Sequence, residues 1–370
     1  MNNKNPIQNG VWRPRAAVML IAMLITCGML FDSRQQATAD TSGASQTNPT
    51  AKIDQRVLQD TNGGKFASFI ILMSGQADVS AAYNINNEDA RGWYVYNTLR
   101  SYAELDQLSV RTLLNEHHAS YKSFWAANMI VAIGNRALVE LLASRPDVRR
   151  IELNIGDLTM DLDYQSSSVV RRPSSIEWGV QSVNAPQVWA MGYTGQGIVI
   201  SSQDTGVKWD HPALKPHYRG WDGSAADHNY NWWDAIHSGT GNPCGVNAQA
   251  PCDDNGHGTH LTGIMSGDDG AGNQVGVAPG AKWIACRGMD RGNGTPATFT
   301  ECFQFMIAPT DLNGNNPDPT KRPHVMNNAW VCRSSDGCAP DTLRQVVENT
   351  QAAGIFVAAS TSASGPSCSS

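Results

Sequence analysis

The chain has 370 residues, 41% of them hydrophobic and 16% charged, a composition that excludes a disordered, collagenous or many-span membrane protein and leaves room for two domains with a buried core. Its formal charge of −6 argues against nucleic acid as a partner. Lys4, Arg13 and Arg15 precede an apolar run from Ala16 to Leu30, and Ala37-Thr38-Ala39 supplies the small-x-small pattern that a signal peptidase accepts. Residues 1–39 are therefore read as a secretory signal peptide, cleaved after Ala39. Such a run reaches about 22 Å as a helix, short of a ~30 Å hydrocarbon core, so a permanent transmembrane helix is the weaker reading and no membrane association is expected once the signal is removed. A lipidated Cys27 is the lesser alternative, because Thr26 is a poor fit for the small residue a lipobox wants before its cysteine.

Residues 40–63 are rich in Thr, Ser, Asn, Ala and Gly without an apolar period, and read as a flexible leader. An apolar run (Phe69 to Met73), a long helical stretch (Asn97 to His117), an aromatic-rich strand (Phe124 to Ile133), a short helix (Arg136 to Ser144) and a last strand (Val148 to Leu153) then predict a small α+β domain over 64–155. A linker, 156–174, carries the basic, turn-forming Arg171-Arg172-Pro173, a site for proteolytic processing.

From 175 onward, Gly and Pro punctuate short β-branched runs (Ile198 to Ser201, Val275 to Ala278, Trp283 to Cys286, Ile355 to Ala359) with helical patterns between them. This predicts an α/β domain, a parallel sheet with helices on both faces whose chemistry sits at the carboxyl ends of its strands. Asp341 is expected to cap the helix through Val346 and Val347, with Gly354 ending it. Apart from Cys27, all cysteines lie between Cys244 and Cys368, consistent with an exported, disulfide-bonded C-terminal part. Close spacing suggests Cys244 with Cys252 and Cys332 with Cys338, and Cys286 with Cys302 as a guess, which leaves Cys368 over.

Asp204 ends the run GIVISSQD and is followed by Thr205-Gly206, placing a carboxylate at the end of a central strand. In NGHGTHLTGI, Gly256 and Gly258 flank His257 so that the backbone turns tightly into a helix with the imidazole at its amino end. A neutral histidine held by a buried carboxylate is the base that a hydroxyl nucleophile needs. His257, His260 and Asp204 lack the spacing of a zinc site, and Asp311-x-Asn313-x-Asn315 begins like a calcium loop but meets Arg322 where a bidentate glutamate would close it. No cofactor is expected, with calcium the minor alternative.

Together the D-T-G strand and H-G-T-H segment resemble the subtilisin-like serine proteases (subtilases), in the look of their secreted members. VNAPQVW near 183–189, the Gly-Val-Ala-Pro-Gly turn at 276–280 and VMNNAW at 325–330 follow in the order this family uses. Residues 66–153 resemble its inhibitor-like, ferredoxin-like propeptide. The resemblance implies a secreted endopeptidase precursor acting on polypeptides and capped by its own propeptide. Asp204 would orient and stabilise the imidazolium of His257, the general base and acid. Asn327, Asn328, Ala329, Trp330 and Val331 would line a cleft where substrate adds as a strand.

The sequence also departs from the family. Ala329 and Val331 replace a preferred Ser and Gly, and Ala363 aligns with the oxyanion-hole asparagine, a donor whose loss in subtilisin itself costs about 10²–10³ in turnover. The Gly-Thr-Ser-Met-Ala segment that carries the family's nucleophile does not occur; Ser362 follows its strand too closely to take that role. The expectation is an incomplete subtilisin-like sheet, inactive as it stands because its nucleophile lies on none of these residues. The alternative is an inactive homologue that binds or inhibits an intact protease through its propeptide-like domain.

Overall fold

The computed structural model describes residues 49–154, 158–159, 176–239, 241–331 and 338–360. The signal peptide, Cys27, the Arg171-Arg172-Pro173 junction, Cys332, Ser362, Ala363 and Cys368 lie outside the described residues.

The described part of the expected leader is helical. Asp54 caps α1 (Gln55–Asp60), its carboxylate accepting from the Arg56 amide at 2.9 Å. Val57 is fully buried and Ile53 bridges to Ile151, so two apolar side chains four residues apart anchor this segment despite its polar composition. The chain continues through β1 (Ala67–Met73), α2 (Glu88–Asp106), α3 (Leu108–Glu116), β2 (Tyr121–Phe124), β3 (Met129–Gly134), α4 (Arg136–Ala143) and β4 (Val148–Leu153). These strands form an antiparallel sheet in the order β2-β3-β1-β4.

Two expected elements are each divided. The helix of 97–117 begins at Glu88 and breaks at Gln107, whose buried amide donates to the Phe124 carbonyl and to Asn128 Oδ1, both at 3.0 Å. The strand of 124–133 is a hairpin, β2 and β3, turning at Asn128 with φ 43°. Asparagine tolerates this left-handed conformation, and its Nδ2 donates to Gly75 O at 2.8 Å and Asp106 Oδ2 at 2.7 Å.

Both faces of β1 are apolar because both are buried. Phe69, Ile71 and Met73 share a core with Val110, Leu114, Leu138 and Leu142 of α3 and α4. Ile70 and Leu72, pointing the other way, belong to a core continuous with Phe303, Met306, Ile307 and Val346 of the following domain.

After the linker strand β5 (Leu158–Thr159), that domain opens with α5 (Trp178–Ser182) and α6 (Ala185–Ala190). It then runs β6 (Val199–Asp204), β7 (Trp232–Asp234), α7 (His257–Ser266), β8 (Lys282–Arg287), β9 (Met289–Asp290), β10 (Asn293–Gly294), α8 (Pro296–Ile307), β11 (Val325–Asn328), α9 (Arg344–Ala352) and β12 (Phe356–Ala359). The main sheet is parallel throughout, in the order β12-β11-β6-β8-β7, so β6 is central. Its helical flanks give the α/β class expected from the sequence.

Val275–Ala278 is not a strand. Its amides instead meet the carbonyls left open at the end of α7: Gly276 N to Gly267 O at 2.8 Å, Val277 N to Ile264 O at 2.9 Å and Ala278 N to Met265 O at 2.8 Å. Asp341 does not cap α9, which starts at Arg344 with no side-chain cap. Its carboxylate is taken by Arg150 of β4 at 2.8 Å, a stronger, charge-assisted partner than a backbone amide. Gly354, at φ 92°, ends α9 as the sequence indicates. Disulfides join Cys244 to Cys252 and Cys286 to Cys302; Cys338 is also disulfide-bonded.

Candidate active site

Asp204, fully buried, is the last residue of the central strand. His257 is the first residue of α7, and its Nδ1 donates to Asp204 Oδ1 at 2.8 Å. The Thr205 amide donates to the same oxygen at 2.7 Å. This arrangement leaves Nε2 as the ring's proton acceptor, and among the described residues nothing is bonded to it.

Backbone chemistry around the pair explains why these residue types stand here. Asp253 Oδ1 accepts from the Asn255 and Gly256 amides at 3.0 and 2.8 Å, and Oδ2 from the Thr259 amide at 2.9 Å, satisfying open N–H groups at the start of α7. Thr205 Oγ1 donates to Asp253 at 2.8 Å and accepts from the Gly258 amide at 3.0 Å, tying the end of β6 to the start of the helix. A Cβ on Gly258 would lie 2.1 Å from Gly206 O and 3.1 Å from Asp204 Cβ, so only glycine lets helix and strand approach this closely. Thr205 and Asp253 were not singled out for a role from the sequence; the signal was an aspartate four residues ahead of the glycine-flanked histidine, able to accept from the open amides of the coming helix.

Burial by itself would depress the His257 pKa, but the hydrogen bond and charge of Asp204, with the charge of Asp253 beyond, outweigh it and hold the imidazole above its ordinary 6.5. Burial likewise pushes the Asp204 carboxyl up against the opposing pull of His257, so the pair keeps its protons more tightly than the isolated groups would. A histidine raised in the folded state contributes stability that is present in full below its unfolded pKa and lost as pH rises through the folded one. Asp204→Asn is expected to lower the His257 pKa, since burial then acts with little opposition. NMR titration of the ring Cε1 proton reads this directly, and an unmoved midpoint would refute the assignment of Asp204 as the principal partner.

The expected cleft residues divide by burial. Asn327, Ala329 and Trp330 are partly exposed, whereas Asn328 and Val331 are buried. Asn328 finishes the sheet: its Nδ2 donates to Ala358 O at 3.2 Å and its carbonyl accepts from Ser360 N at 3.0 Å. Trp330 stacks on Phe299 of α8, with ring centroids 3.9 Å apart. A second edge was missed from the sequence. Beyond Arg287, which is in register with Asp204, the chain forms the small ribbon β9–β10, and Leu158–Thr159 adds to it antiparallel, Asn293 opposite Thr159 and Gly294 opposite Leu158. Asp311, the candidate calcium ligand, spends its carboxylate on the Asn313 and Asn315 amides at 2.9 Å each and on Asn316 Nδ2 at 3.0 Å. Arg322 donates to the Ala353 and Pro319 carbonyls. Among the described residues no group of three His, Cys, Asp or Glu side chains is placed to hold a metal ion.

A parallel sheet with flanking helices and an aspartate–histidine pair at its carboxyl edge describes the subtilisin-like class of serine peptidases. Residues 195–367 match the model of the Subtilase family. Bacillopeptidase F of Bacillus subtilis (strain 168) is 35% identical over 247 residues, 63% of this chain and 16% of that protein. The minor extracellular protease Vpr of the same organism is 35% identical over 113 residues, 30% of this chain and 12% of Vpr. The chain thus spans a small part of these relatives. The crystal structure of the epidermin leader peptide processing serine protease from Staphylococcus aureus, in an alanine-mutant form, superposes with a TM-score of 0.50 at 14% identity. That superposition covers 80% of this chain and 60% of the other, a likeness of fold. No helix among the described residues is long and apolar enough to cross a membrane.

Proposed function

We propose that this chain is the precursor of a secreted subtilisin-type serine endopeptidase, in which Asp204 orients His257 and His257 acts as general base and then acid. The observation that carries the reading is the 2.8 Å contact at Nδ1, with Nε2 unbonded among the described residues. A ring so held accepts a hydroxyl proton at Nε2 while the carboxylate stabilises the imidazolium that results. The extended pairing of Leu158–Thr159 on Asn293–Gly294 supports a propeptide role for residues 64–155: the segment that follows them lies as an added strand on the ribbon beside the site, the way a peptide substrate would. Export through the signal peptide of residues 1–39 agrees with an extracellular relative, and polypeptides are the substrate class. No metal or other cofactor takes part in this reading.

On this reading the nucleophile lies on none of these 370 residues, and Ala363 would supply no side-chain donor for an oxyanion. The full chain is therefore expected to leave peptides uncut and to resist a fluorophosphonate probe, which acylates activated serines. Labelling of Ser362 or any other serine overturns this. Ala329, Val331 and Ala363 favour a second reading, an inactive homologue that acts by binding a protease. The coding sequence after the Ser370 codon separates the two: a frame encoding Gly-Thr-Ser-Met-Ala selects the enzyme, and its absence selects the binder.

A further inference from the structure

Where the α+β domain meets α8, a carboxylate, a histidine and a lysine from three separate elements converge. Glu301 of α8 is buried, and its Oε2 accepts from Lys122 Nζ of β2 at 2.5 Å. Its Oε1 accepts from His237 Nε2 at 2.7 Å and from Trp233 Nε1 at 2.8 Å. Lys122 Nζ also lies 3.1 Å from His237 Nε2. The other ring nitrogen, Nδ1, faces Asn247 Oδ1 at 2.5 Å. Asp290 and Arg291 line the same cavity of about 520 Å³, paired with each other at 3.7 Å, and Asp234, at the end of β7, is engaged by Arg287. Lys122 and Glu301 thus form an ion pair between β2 and α8, with His237 as the titratable group in contact with both.

We propose that Glu301 is a socket for the Lys122 ammonium on which protonation of His237 competes, so that acidification loosens the docking of the α+β domain on α8. Neither a nucleophile nor proteolysis enters this inference. In the neutral ring, Nε2 either accepts from Lys122 or donates to Glu301; in the imidazolium both nitrogens carry protons, and Nε2 only donates. A second cation then stands 3.1 Å from the lysine and shares its one carboxylate. Lys122 opposes the charging of His237 while Glu301 favours it, with the net pKa above the usual value. Because linkage is reciprocal, whatever Lys122 does to the proton affinity of His237, the proton does to the hold on Lys122.

The seam reports on itself through the Trp125 and Ala126 amides, which donate to Gln304 Oε1 of α8 at 2.6 and 3.1 Å. Hydrogen exchange of the full chain, corrected for intrinsic rates, is expected to show their protection falling at least about fivefold between about pH 8 and about pH 5. The β1 amides from Phe69 to Leu72 serve as the internal reference and should hold. His237→Gln keeps hydrogen-bonding capacity without the charge and should abolish the pH effect. In Lys122→Met the His237 pKa, read by NMR, should rise. PH-independent protection in the native sequence, a pH effect that survives His237→Gln, or an unmoved His237 pKa in Lys122→Met each overturns the proposal.

Discussion

Replacing Arg287 with leucine is expected to remove about 3–5 kcal/mol of stability, the usual consequence of deleting one partner from a buried ion pair. Arg287 is fully buried at the end of β8, where Nε and Nη2 grip both oxygens of Asp234 at 2.9 and 2.8 Å. Nη2 also donates to Gly245 O at 2.6 Å, and Nη1 reaches Asn242 Oδ1 at 3.2 Å and Asp254 at 3.5 Å. Leucine fills part of the volume and leaves two carboxylates facing a low-dielectric interior without their cation. Burial already pushes the Asp254 carboxyl up, with Asn242 and Arg287 restraining it. The effect extends to the candidate site, because Asp204 and Arg287 are paired in register and the Gly288 amide donates to Asp204 O at 2.9 Å. Urea unfolding of the variant measures the loss. A change below about 1 kcal/mol would mean that water reaches these carboxylates and that the network is not the anchor described.

What was legible in the sequence was local. Asp204 and His257 stood out because a strand ending in Asp-Thr-Gly and a glycine-flanked histidine are each written in a few adjacent residues, and the backbone constraints they answer to act over the same distance. Of the two disulfides now described, Cys244–Cys252 was legible because its partners lie 8 residues apart, whereas Cys286–Cys302, 16 apart, was only a guess that spacing did not single out. Asp341 was misassigned because its capping geometry is local whereas its actual partner, Arg150, lies 191 residues away. Val275–Ala278 has the β-branched composition of a strand, yet it is held by the open carbonyls of α7, and composition does not encode that. The seam carried no local signal, since Lys122 and Glu301 are 179 residues apart and each reads alone as an ordinary surface charge. The two-faced burial of β1 was visible only as an unbroken apolar run, which does not say what covers the second face.

Gly206→Ala is expected to cost about 2–6 kcal/mol, and a matched control separates its two causes. Gly206 has φ 102°, which a non-glycine residue adopts only under strain of about 1–3 kcal/mol. A Cβ there would also stand 1.8 Å from the carbonyl oxygen of Cys252. That carbonyl is poorly placed to retreat, because Cys252 is tethered to Cys244 and the next residue, Asp253, holds the start of α7. Overpacking against fixed backbone adds about 1–3 kcal/mol. Gly223 has nearly the same φ, 103°, with nothing within 4 Å of its would-be Cβ, so Gly223→Ala should register the conformational cost alone. Denaturant midpoints of the two variants give the difference. Because Gly206 O packs on Gly258, the displacement should also reach the Asp204–His257 contact, and the imidazole titration should move in Gly206→Ala but not in Gly223→Ala. Equal losses in the two variants would show that the Cys252 carbonyl yields, and that the tight turn after Asp204 is held by conformational preference rather than by the wall opposite.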